Sequence, residues 1–232
     1  MKCAILAAGK GVRMLPLTKE NPKPLIEVNG VPFLNYLIDE IKKAGFDDIA
    51  ILIGYKGEKI KEWAKKEKMK ITFIEQKEQK GTADAIKLLK NWSNSEDFAV
   101  VMGDNLYSSK DLKKLKRKDK YHYVSAIKGD SRKFGELIVD GDFLIRIREK
   151  SPDIITGLIN TGAYKFKQEI FDVISSLKPS ERGEYEITDA LTALAEKKKV
   201  KVLTIEDFWV NFGSLEDIKT TEEFLKSDQY GK

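Results

Sequence analysis

The sequence contains very little cysteine and histidine. Of its 232 residues, one is cysteine, Cys3, and one is histidine, His122. A single cysteine cannot form an internal disulfide, so the chain carries no sign of an oxidising compartment. A single histidine leaves no Ser/His/Asp or Cys/His set for nucleophilic catalysis. We interpret His122, which falls on a predicted strand away from every motif below, as a structural residue.

The sequence also lacks a long apolar run. Its longest charge-free stretches are residues 28–38 and 154–164. Both are well short of the roughly 18 apolar residues needed to cross a bilayer. Lys10 and Arg13 follow the first apolar run too soon for a signal peptide. We therefore predict a soluble, cytoplasmic protein whose residues make no membrane contact.

Charged residues are abundant, but arginine is scarce. Lysine and arginine total 42 against 37 aspartate and glutamate, which gives a net charge of +5, and only six of the 42 are arginine. A Lys/Glu-rich, Arg-poor surface favours a thermophilic source. The densest basic run, residues 110–120, contains interspersed Asp and no aromatic residue. We interpret it as a solvated helix face and expect no nucleic-acid partner.

Strand-like and helix-like patterns alternate through the first hundred residues. The predicted strands cover residues 2–7, 49–53, 70–74 and 98–102. The predicted helices cover 33–41, 56–66 and 82–89. This alternation predicts a parallel sheet with helices on both faces.

The second half of the chain has a different pattern. Strand-like segments come first and helical segments follow: strands at 121–127, 136–139, 143–147 and 158–166, then helices near 168–177, 186–196 and 214–225. No linker or repeat divides the chain. We predict a single α/β domain over residues 1–232. Its Rossmann-like, mainly parallel sheet, sandwiched by helices, lies in a first part of about 1–120, and a mixed, partly antiparallel accessory region lies in a second part of about 121–232.

A glycine-rich loop follows the first predicted strand, where a parallel sheet binds its ligands. The loop begins Leu6-Ala7-Ala8-Gly9-Lys10-Gly11-Val12-Arg13-Met14. Glycines let backbone N–H groups crowd around an anion, and Lys10 and Arg13 add positive charge. The loop is not a Walker A motif, because no Gly-Lys-Ser/Thr follows, and Met14 replaces the third glycine of a dinucleotide fingerprint. On spacing alone, a structural turn and a phosphate cradle both remain open.

This loop and the following Pro22-Lys23-Pro24-Leu25 resemble the signature of sugar-1-phosphate nucleotidyltransferases. The glucose-1-phosphate thymidylyl- and uridylyltransferases and the N-acetylglucosamine-1-phosphate uridylyltransferases belong to that family. Further segments resemble the family in its order, up to about Leu215: Gly81-Thr82-Ala83-Asp84-Ala85, Gly103-Asp104-Asn105, Gly135-Glu136, Glu149-Lys150, Asn160-Thr161-Gly162, Glu186-Ile187-Thr188-Asp189 and Trp209-Val210-Asn211-Phe212-Gly213. The implied reaction is attack of a sugar 1-phosphate on the α-phosphorus of a nucleoside triphosphate, with release of pyrophosphate.

The resemblance implies a role for each phosphate-binding residue. Arg13 would neutralise the leaving pyrophosphate, Lys23 would bridge the α-phosphate and the incoming phosphate, and Lys150 would hold the acceptor phosphate. The attacking phosphate is already ionised, since its second pKa is about 6, so no general base is needed. Positioning and charge neutralisation would then carry the catalysis. The family usually has Pro directly after the acceptor lysine, whereas here Ser151 intervenes.

The resemblance also implies a nucleotide site, an acceptor site and a Mg²⁺ site. The expected nucleotide-binding residues are Leu6, Ala8, Gly9, Lys10, Gly11, Gln76, Gly81, Thr82 and Asp84. The expected acceptor-binding residues, which would hydrogen-bond the hydroxyls of a sugar or inositol 1-phosphate, are Gly135, Glu149, Asn160 and Thr161. Asp104 and Asn211 would hold Mg²⁺. The family usually has Asp at the latter position, although N-acetylglucosamine-1-phosphate uridylyltransferases place Asn there; a purely structural turn role for Asn211 also stays open.

The sequence does not determine which nucleotide base is bound. Thymidylyltransferases of the family carry Gln where this chain has Asp84, which disfavours dTTP. A carboxylate there suits an exocyclic amine such as cytosine N4, or it is simply a first-turn residue favoured by the helix dipole. UTP, CTP and GTP therefore remain candidates.

Two alternatives to a sugar-nucleotide enzyme are also open. One is a CTP:inositol-1-phosphate cytidylyltransferase, and the other is a non-catalytic regulatory protein that binds nucleotide sugars. The presence of Lys23, Asp104 and Lys150 favours an enzyme. Homo-oligomerisation and a further C-terminal domain, such as the hexapeptide-repeat β-helix of some family members, are left open.

Overall fold

The computed structural model describes residues 1–148 and 156–230, which form an α/β fold. Its strands are β1 (Lys2–Ala7), β2 (Glu27–Val28), β3 (Val31–Pro32), β4 (Ile49–Ile53), β5 (Thr72–Glu75), β6 (Phe98–Met102), β7 (Asn105–Tyr107), β8 (His122–Gly129), β9 (Glu136–Asp140), β10 (Phe143–Arg148), β11 (Gly157–Phe166), β12 (Val200–Thr204) and β13 (Trp209–Asn211). Its α-helices are α1 (Phe33–Lys43), α2 (Gly57–Lys66), α3 (Thr82–Lys87), α4 (Lys90–Ser93), α5 (Ser109–Lys113), α6 (Ile170–Ser176), α7 (Ile187–Ala195) and α8 (Glu216–Lys226). In these ranges, no helix has the length and apolar character needed to cross a membrane.

The main sheet has nine strands in the order β5-β4-β1-β6-β11-β8-β12-β10-β9. The first four of these are mutually parallel, with β1 between β4 and β6. The prediction that the first hundred residues form a parallel sheet is therefore confirmed. The strand β11 runs antiparallel to β6 and joins this part to the second half of the chain.

The second half of the sheet closes on itself. The strands β11, β8, β12, β10 and β9 pair in succession, and β9 pairs back to β11 through Glu136 and Ile159. Only β8 and β12 are parallel within this ring. The predicted mixed, partly antiparallel accessory region is therefore confirmed.

Alternation along the central strands separates two apolar layers. In β1, Cys3 and Ile5 belong to one buried cluster, whereas Ala4 and Leu6 belong to the other. The helices α1 and α2 pack on the first face of the sheet, and α3, α6 and α7 pack on the second. Helices thus cover both faces, and the carboxyl ends of the parallel strands are left for a site.

The basic segment 110–120 is only in part the solvated helix face that we predicted. The helix α5 ends at Lys113, and a single 3₁₀ turn, Lys114–Lys116, follows. Asp111 is buried because its carboxylate accepts hydrogen bonds from the backbone N–H groups of Glu206 and Asp207. The segment therefore anchors the chain after β12 instead of presenting only a charged face. Smaller corrections are that β5 begins at Thr72 and that α3 ends at Lys87.

Candidate active site

The loops that follow β1 and β6 meet at the carboxyl ends of these neighbouring strands. The Gly103 N–H donates to the Leu6 carbonyl over 2.9 Å, which ties the two loops together. Between them lies a cavity of about 270 Å³. Its lining residues are Leu6, Ala7, Gly9, Gly11, Val12, Arg13, Lys23, Pro24, Met102, Gly103, Asp104 and Gly213. Such a position, where the strand order reverses, is where open α/β sheets bind ligands.

Gly11 allows the loop to lie against Lys23. Its φ of +62° is in the left-handed region. A Cβ at this position would lie 2.9 Å from the Thr18 methyl carbon and 3.1 Å from Lys23 Cβ. The Thr18 hydroxyl holds the turn by donating to the Gly11 carbonyl over 3.1 Å. A larger residue would therefore displace either the turn or the lysine stem.

Lys23 is buried, although it lies between two prolines in a loop. Its side chain is 8% exposed, and Nζ donates to Asp104 Oδ2 over 2.8 Å and to the Gly213 carbonyl over 3.3 Å. An ammonium has three N–H donors. Within the described residues the third has no partner, and the cavity lies beside it. Lys23 is thus placed to donate to an anion in the cavity, which a surface lysine would not be.

Asp104 is the carboxylate of the cavity. Its Oδ2 accepts from Lys23, and its Oδ1 accepts from Asn105 Nδ2 over 3.0 Å. Lys23 therefore supplies a cationic partner for this carboxylate. Asn105 is 7% exposed, and its Oδ1, on the other side of the amide, is buried without a hydrogen-bond partner among the described residues.

Asn211 reaches this region through the short ladder of β13 and β7. It pairs with Asn105, and the Phe212 N–H donates to the Asp104 carbonyl over 2.9 Å. Its Nδ2 donates to Asp217 Oδ2 over 3.1 Å, and no described residue donates to its Oδ1. Asn211 does not itself line the cavity with Asp104.

Asp217 is a positioning residue that sequence reasoning missed. Its Oδ2 accepts from Asn211 and from the backbone N–H groups of Gly213 and Ser214, over 2.6 and 2.8 Å for the last two. The Ser214-x-x-Asp217 spacing is that of a capping box before a helix and could have identified it. The carboxylate therefore fixes both the start of α8 and the Asn211 amide.

The two basic residues of the glycine-rich loop, Lys10 and Arg13, line different cavities. Arg13 is exposed and lines the cavity with Lys23 and Asp104. Lys10 lies outside that cavity and lines a larger groove, of about 1000 Å³, beside the start of α2 and residues 75–79. The left-handed turn at Gly11 lies between the two residues and separates their side chains. Only Arg13 is placed to act with Lys23.

A second cavity, of about 220 Å³, adjoins the first and shares Leu6, Gly9 and Met102 with it. Its remaining lining residues are Ala8, Leu52, Gln76, Gln79, Gly81, Thr82, Ala85 and Glu184. The cavity therefore brings together most of the residues predicted to bind the nucleotide. Asp84 is not among them. Gln79 and Glu184 are additions that no sequence signal indicated.

The turn at Gly81 is shaped by the chain near Tyr185. The φ of Gly81 is +105°, and a Cβ there would lie 2.7 Å from the Tyr185 nitrogen. The Tyr185 N–H donates to the Lys80 carbonyl and its carbonyl accepts from the Ala83 N–H, each over 2.8 Å. The Thr82 hydroxyl accepts from the Ile187 N–H over 3.0 Å. A glycine is therefore required where the start of α3 meets this segment.

The predicted acceptor residues lie at β11 and β9. The Asn160 N–H donates to the Gly135 carbonyl over 2.8 Å, which places these two residues side by side. The Asn160 side chain donates to the Tyr164 hydroxyl and accepts from the Gly162 N–H. Thr161 is 1% exposed, and its hydroxyl contacts Ser125 Oγ inside the sheet. The structure therefore gives the Thr161 hydroxyl no open surface for the expected sugar contact.

Two predicted acceptor residues, Glu149 and Lys150, lie outside the described residues. The last described residue before them is Arg148, at the end of β10. Its guanidinium donates to the Glu136 carboxylate, with one contact of 3.1 Å from Nε.

Comparisons with known proteins identify the family of this chain. The sequence model of the family described as nucleotidyl transferase matches residues 2–228. The chain is 37% identical, over 228 residues, to the bifunctional protein GlmU of Methanocaldococcus jannaschii. The alignment covers 97% of this chain and 54% of that protein. It is 31% identical, over 238 residues, to the UTP–glucose-1-phosphate uridylyltransferase AglF of Haloferax volcanii, with 98% of both covered. The chain thus spans about half the length of the GlmU proteins it matches.

A solved structure has the same fold. It is a UDP-glucose pyrophosphorylase complexed with UDP-glucose, and it superposes with a TM-score of 0.85 at 25% identity over 96% of this chain and 97% of that one. The α/β topology, the cavities at the carboxyl ends of the strands and the family match over nearly the whole length lead to one conclusion. This chain belongs to the nucleotidyl transferase family.

Proposed function

We propose that this chain is a Mg²⁺-dependent uridylyltransferase that joins UTP to a hexose 1-phosphate and releases pyrophosphate. The observation that carries the proposal is the buried Lys23–Asp104 contact of 2.8 Å beside the glycine-rich loop. This contact leaves the Lys23 ammonium one unused donor beside the cavity, and in the proposed reaction that donor would bind the two phosphates. The names of the relatives, a UTP–glucose-1-phosphate uridylyltransferase and a UDP-glucose pyrophosphorylase, support UTP and a hexose.

The chain's own residues are suited to bringing anions together. A phosphate oxygen of the hexose 1-phosphate would attack the α-phosphorus of UTP in line. The bond from that phosphorus to the bridging oxygen would break, and pyrophosphate would leave with the electron pair. No proton has to move, so the absence of a histidine base near the described site is no obstacle. Lys23 would hold both phosphates, and Arg13 would offset the charge on the pyrophosphate.

The residues at Asp104 fit a magnesium ion. The described part of the chain has no group of three His, Cys, Asp or Glu that could hold a metal. Mg²⁺, however, is commonly bound by one or two carboxylates together with substrate phosphates and water. Asp104 offers a carboxylate, and Asn211, on the short ladder that pairs with Asn105, offers an amide oxygen to which no described residue donates. Bound there, Mg²⁺ would neutralise negative charge on the phosphate oxygens.

The proposed organisation is a single domain over residues 1–232. Its nucleotide part, about 1–120, is Rossmann-like, because its four parallel strands have the order 3-2-1-4 when numbered along the chain. Its acceptor part, about 121–232, would contact the sugar through Gly135 and Asn160. Glu149 and Lys150 are assigned to the same site on the family resemblance alone.

A pyrophosphate-release screen tests the proposal. UTP, CTP, GTP and dTTP are each combined with glucose, mannose, N-acetylglucosamine and inositol 1-phosphates, with Mg²⁺ and with EDTA. We expect the highest kcat/KM with UTP and a hexose 1-phosphate, and no turnover in EDTA. Lys23→Ala in the best pair excludes a contaminating enzyme. Preference for CTP with inositol 1-phosphate would replace this proposal with the cytidylyltransferase alternative, and no turnover with any pair would contradict both.

A further inference from the structure

Gln76 and Asp84 make a contact behind the base end of the proposed nucleotide site. Gln76 is 7% exposed, and its backbone N–H donates to the Ile53 carbonyl over 2.8 Å. Its side chain lines the same cavity as Gly81 and Thr82. Its Nε2 donates to Asp84 Oδ2 over 3.3 Å and to the Gly81 carbonyl over 3.4 Å. The side-chain amide therefore has two neighbours on its nitrogen side.

Both of these neighbours fix the orientation of the amide. A backbone carbonyl and an ionised carboxylate accept hydrogen bonds and cannot donate them. If the amide were reversed, Gln76 Oε1 would face two acceptors and repel both. The amino group must therefore point towards Asp84 and Gly81. Oε1 is left on the opposite side, where no residue in 1–148 or 156–230 donates to it.

Asp84 itself does not reach this cavity. It lies in the first turn of α3 and lines a different cavity, of about 230 Å³, with Lys80, Lys87 and Tyr185. Its placement in the first turn agrees with the helix-dipole interpretation, whereas a direct contact with the base is not supported by this geometry. Any effect of Asp84 on base choice must therefore pass through Gln76.

We propose that Asp84 is a positioning residue that locks the Gln76 amide and thereby favours uracil over cytosine; this inference rests on the proposed function. Uracil carries one ring donor, N3–H, between two carbonyls. Cytosine has a lone pair at the same N3. A fixed Gln76 carbonyl accepts from the uracil N3–H and repels the cytosine lone pair. The Thr82 N–H, which has no partner inside its helix, is a neighbouring donor for a uracil carbonyl.

The decisive variant is Asp84→Asn, which keeps the shape and supplies a donor. The new amide can donate to Gln76 Oε1, so Gln76 can turn its amino group into the cavity. We expect the UTP-to-CTP ratio of kcat/KM to fall about tenfold, as a single lost hydrogen-bond discrimination would give. The change should lie in the two KM values, with kcat for UTP within about threefold of wild type, because Asp84 is remote from Lys23 and Asp104.

Two further variants make the test specific. Glu78→Gln changes the charge equally at a surface residue that pairs with Lys80, and it should leave the ratio unchanged. Asp84→Ala removes the acceptor without adding a donor, is well tolerated in a helix, and should give an intermediate ratio. An unchanged ratio in both folded Asp84 variants, or an equal change in Glu78→Gln, would overturn the inference.

Dissociation constants separate this inference from the proposed function. UTP and CTP are titrated by calorimetry into wild type, Asp84→Asn and Glu78→Gln without any acceptor. A narrowed affinity ratio in Asp84→Asn alone supports the lock even if no sugar phosphate is ever turned over. If the wild type transfers UMP but Asp84→Asn has the same UTP-to-CTP affinity ratio as the wild type, Asp84 does not fix the Gln76 amide and the proposed function stands.

Discussion

Two buried lysines lie near opposite ends of the strands of the same sheet and have different surroundings. Lys23 lies beyond the carboxyl ends of the parallel strands, beside a cavity and next to Asp104. Lys165 lies near the other ends of the strands, where β11 pairs with the start of β6 at Ala99. Both ammonium groups are shielded from water, with side chains 8% and 0% exposed. Burial alone therefore does not tell a lysine beside a cavity, such as Lys23, from a structural one.

The difference lies in how the donors are used. Lys165 Nζ donates to the carbonyls of Asp119 and Tyr121, over 3.2 and 3.1 Å. It also lies 3.3 Å from Asp97 Oδ2 and 5.7 Å from the centre of the Tyr123 ring. Two carbonyls and the carboxylates of Asp97 and Asp119 therefore surround this ammonium group. Lys23 has two partners and an open cavity for the third donor, so only Lys23 can gain a contact when an anion binds.

His122 lies at the same end of the strands as Lys165. It is fully buried, its Nδ1 accepts from the Lys167 N–H over 3.3 Å, and its Nε2 lies 3.0 Å from Glu169 Oε1. This arrangement satisfies a neutral ring with its proton on Nε2. Burial lowers the pKa of His122, although Glu169 partly opposes the shift. The interpretation of His122 as a structural residue is confirmed by these contacts.

The largest expected effect is on kcat, for a substitution of Asp104 beside the cavity. Asp104→Asn removes the carboxylate that partners Lys23 and would hold Mg²⁺. We expect kcat to fall by about 1000-fold or more at any Mg²⁺ concentration, the upper range for losing one preorganised charge contact. Initial rates of pyrophosphate release over a Mg²⁺ series measure it. Recovery of the rate at high Mg²⁺ would mean that Asp104 is not the main ligand.

For a substitution of Lys165, we expect a loss of stability instead. Lys165→Met should lower the free energy of unfolding by about 2–3 kcal/mol, less than for a fully buried pair because Asp97 and Asp119 reach water. Urea titration of wild type and variant measures it. A loss of turnover in the folded fraction would break the comparison, since Lys165 would then act on the site.

A smaller effect separates a metal ligand from a turn residue. Asn211→Asp adds a carboxylate near Asp104 and removes the donor to Asp217. We expect the half-saturating Mg²⁺ concentration to fall by about threefold to tenfold, because ligand charge sets cation affinity. Asp217→Asn, which loosens the same turn without adding charge, serves as the control. An unchanged Mg²⁺ requirement in Asn211→Asp would leave Asn211 as a turn residue only.

The smallest effect concerns pH. Because the pKa of His122 is lowered in the folded state, the unfolded chain binds a proton more readily. The stability contributed by the neutral ring is complete above the ordinary pKa of about 6.5. It is lost as the pH falls from there through the folded value. The free energy of unfolding between pH 7 and 5 should therefore fall less steeply in His122→Gln. Equal slopes would contradict a buried neutral histidine.

Local patterns predicted most of the fold. The buried runs of β1, β4 and β6 and the apolar stripe of α1 are set by neighbours in sequence, and they lie where predicted. The strand β12 was missed because its Lys201 looks polar. In the structure the ammonium of Lys201 lies 4.6 Å from the Tyr121 ring centre and pairs with Asp142, so the strand fits between β8 and β10.

The sequence named candidate site residues but not the contacts that they make in the structure. Lys23 and Asp104 are 81 positions apart, and their contact depends on how the loops after β1 and β6 fold together. The separation of Lys10 from Arg13 and the burial of Thr161 depend on a turn and on a strand register, respectively. Such features arise from the assembled sheet and leave no periodic signal in the chain.

The most direct test of the account compares Lys23→Met with Lys165→Met. The same substitution is made at both buried lysines, and each variant is measured for kcat of pyrophosphate release and for free energy of unfolding. We predict that Lys23→Met loses about 1000-fold in kcat while its stability changes by about 1 kcal/mol or less, because the cavity lets water reach both groups that lose their partner, the Asp104 carboxylate and the Gly213 carbonyl. Lys165→Met should lose stability and keep its kcat. Near-wild-type turnover in a folded Lys23→Met protein would contradict the central claim that this lysine holds the reacting phosphates.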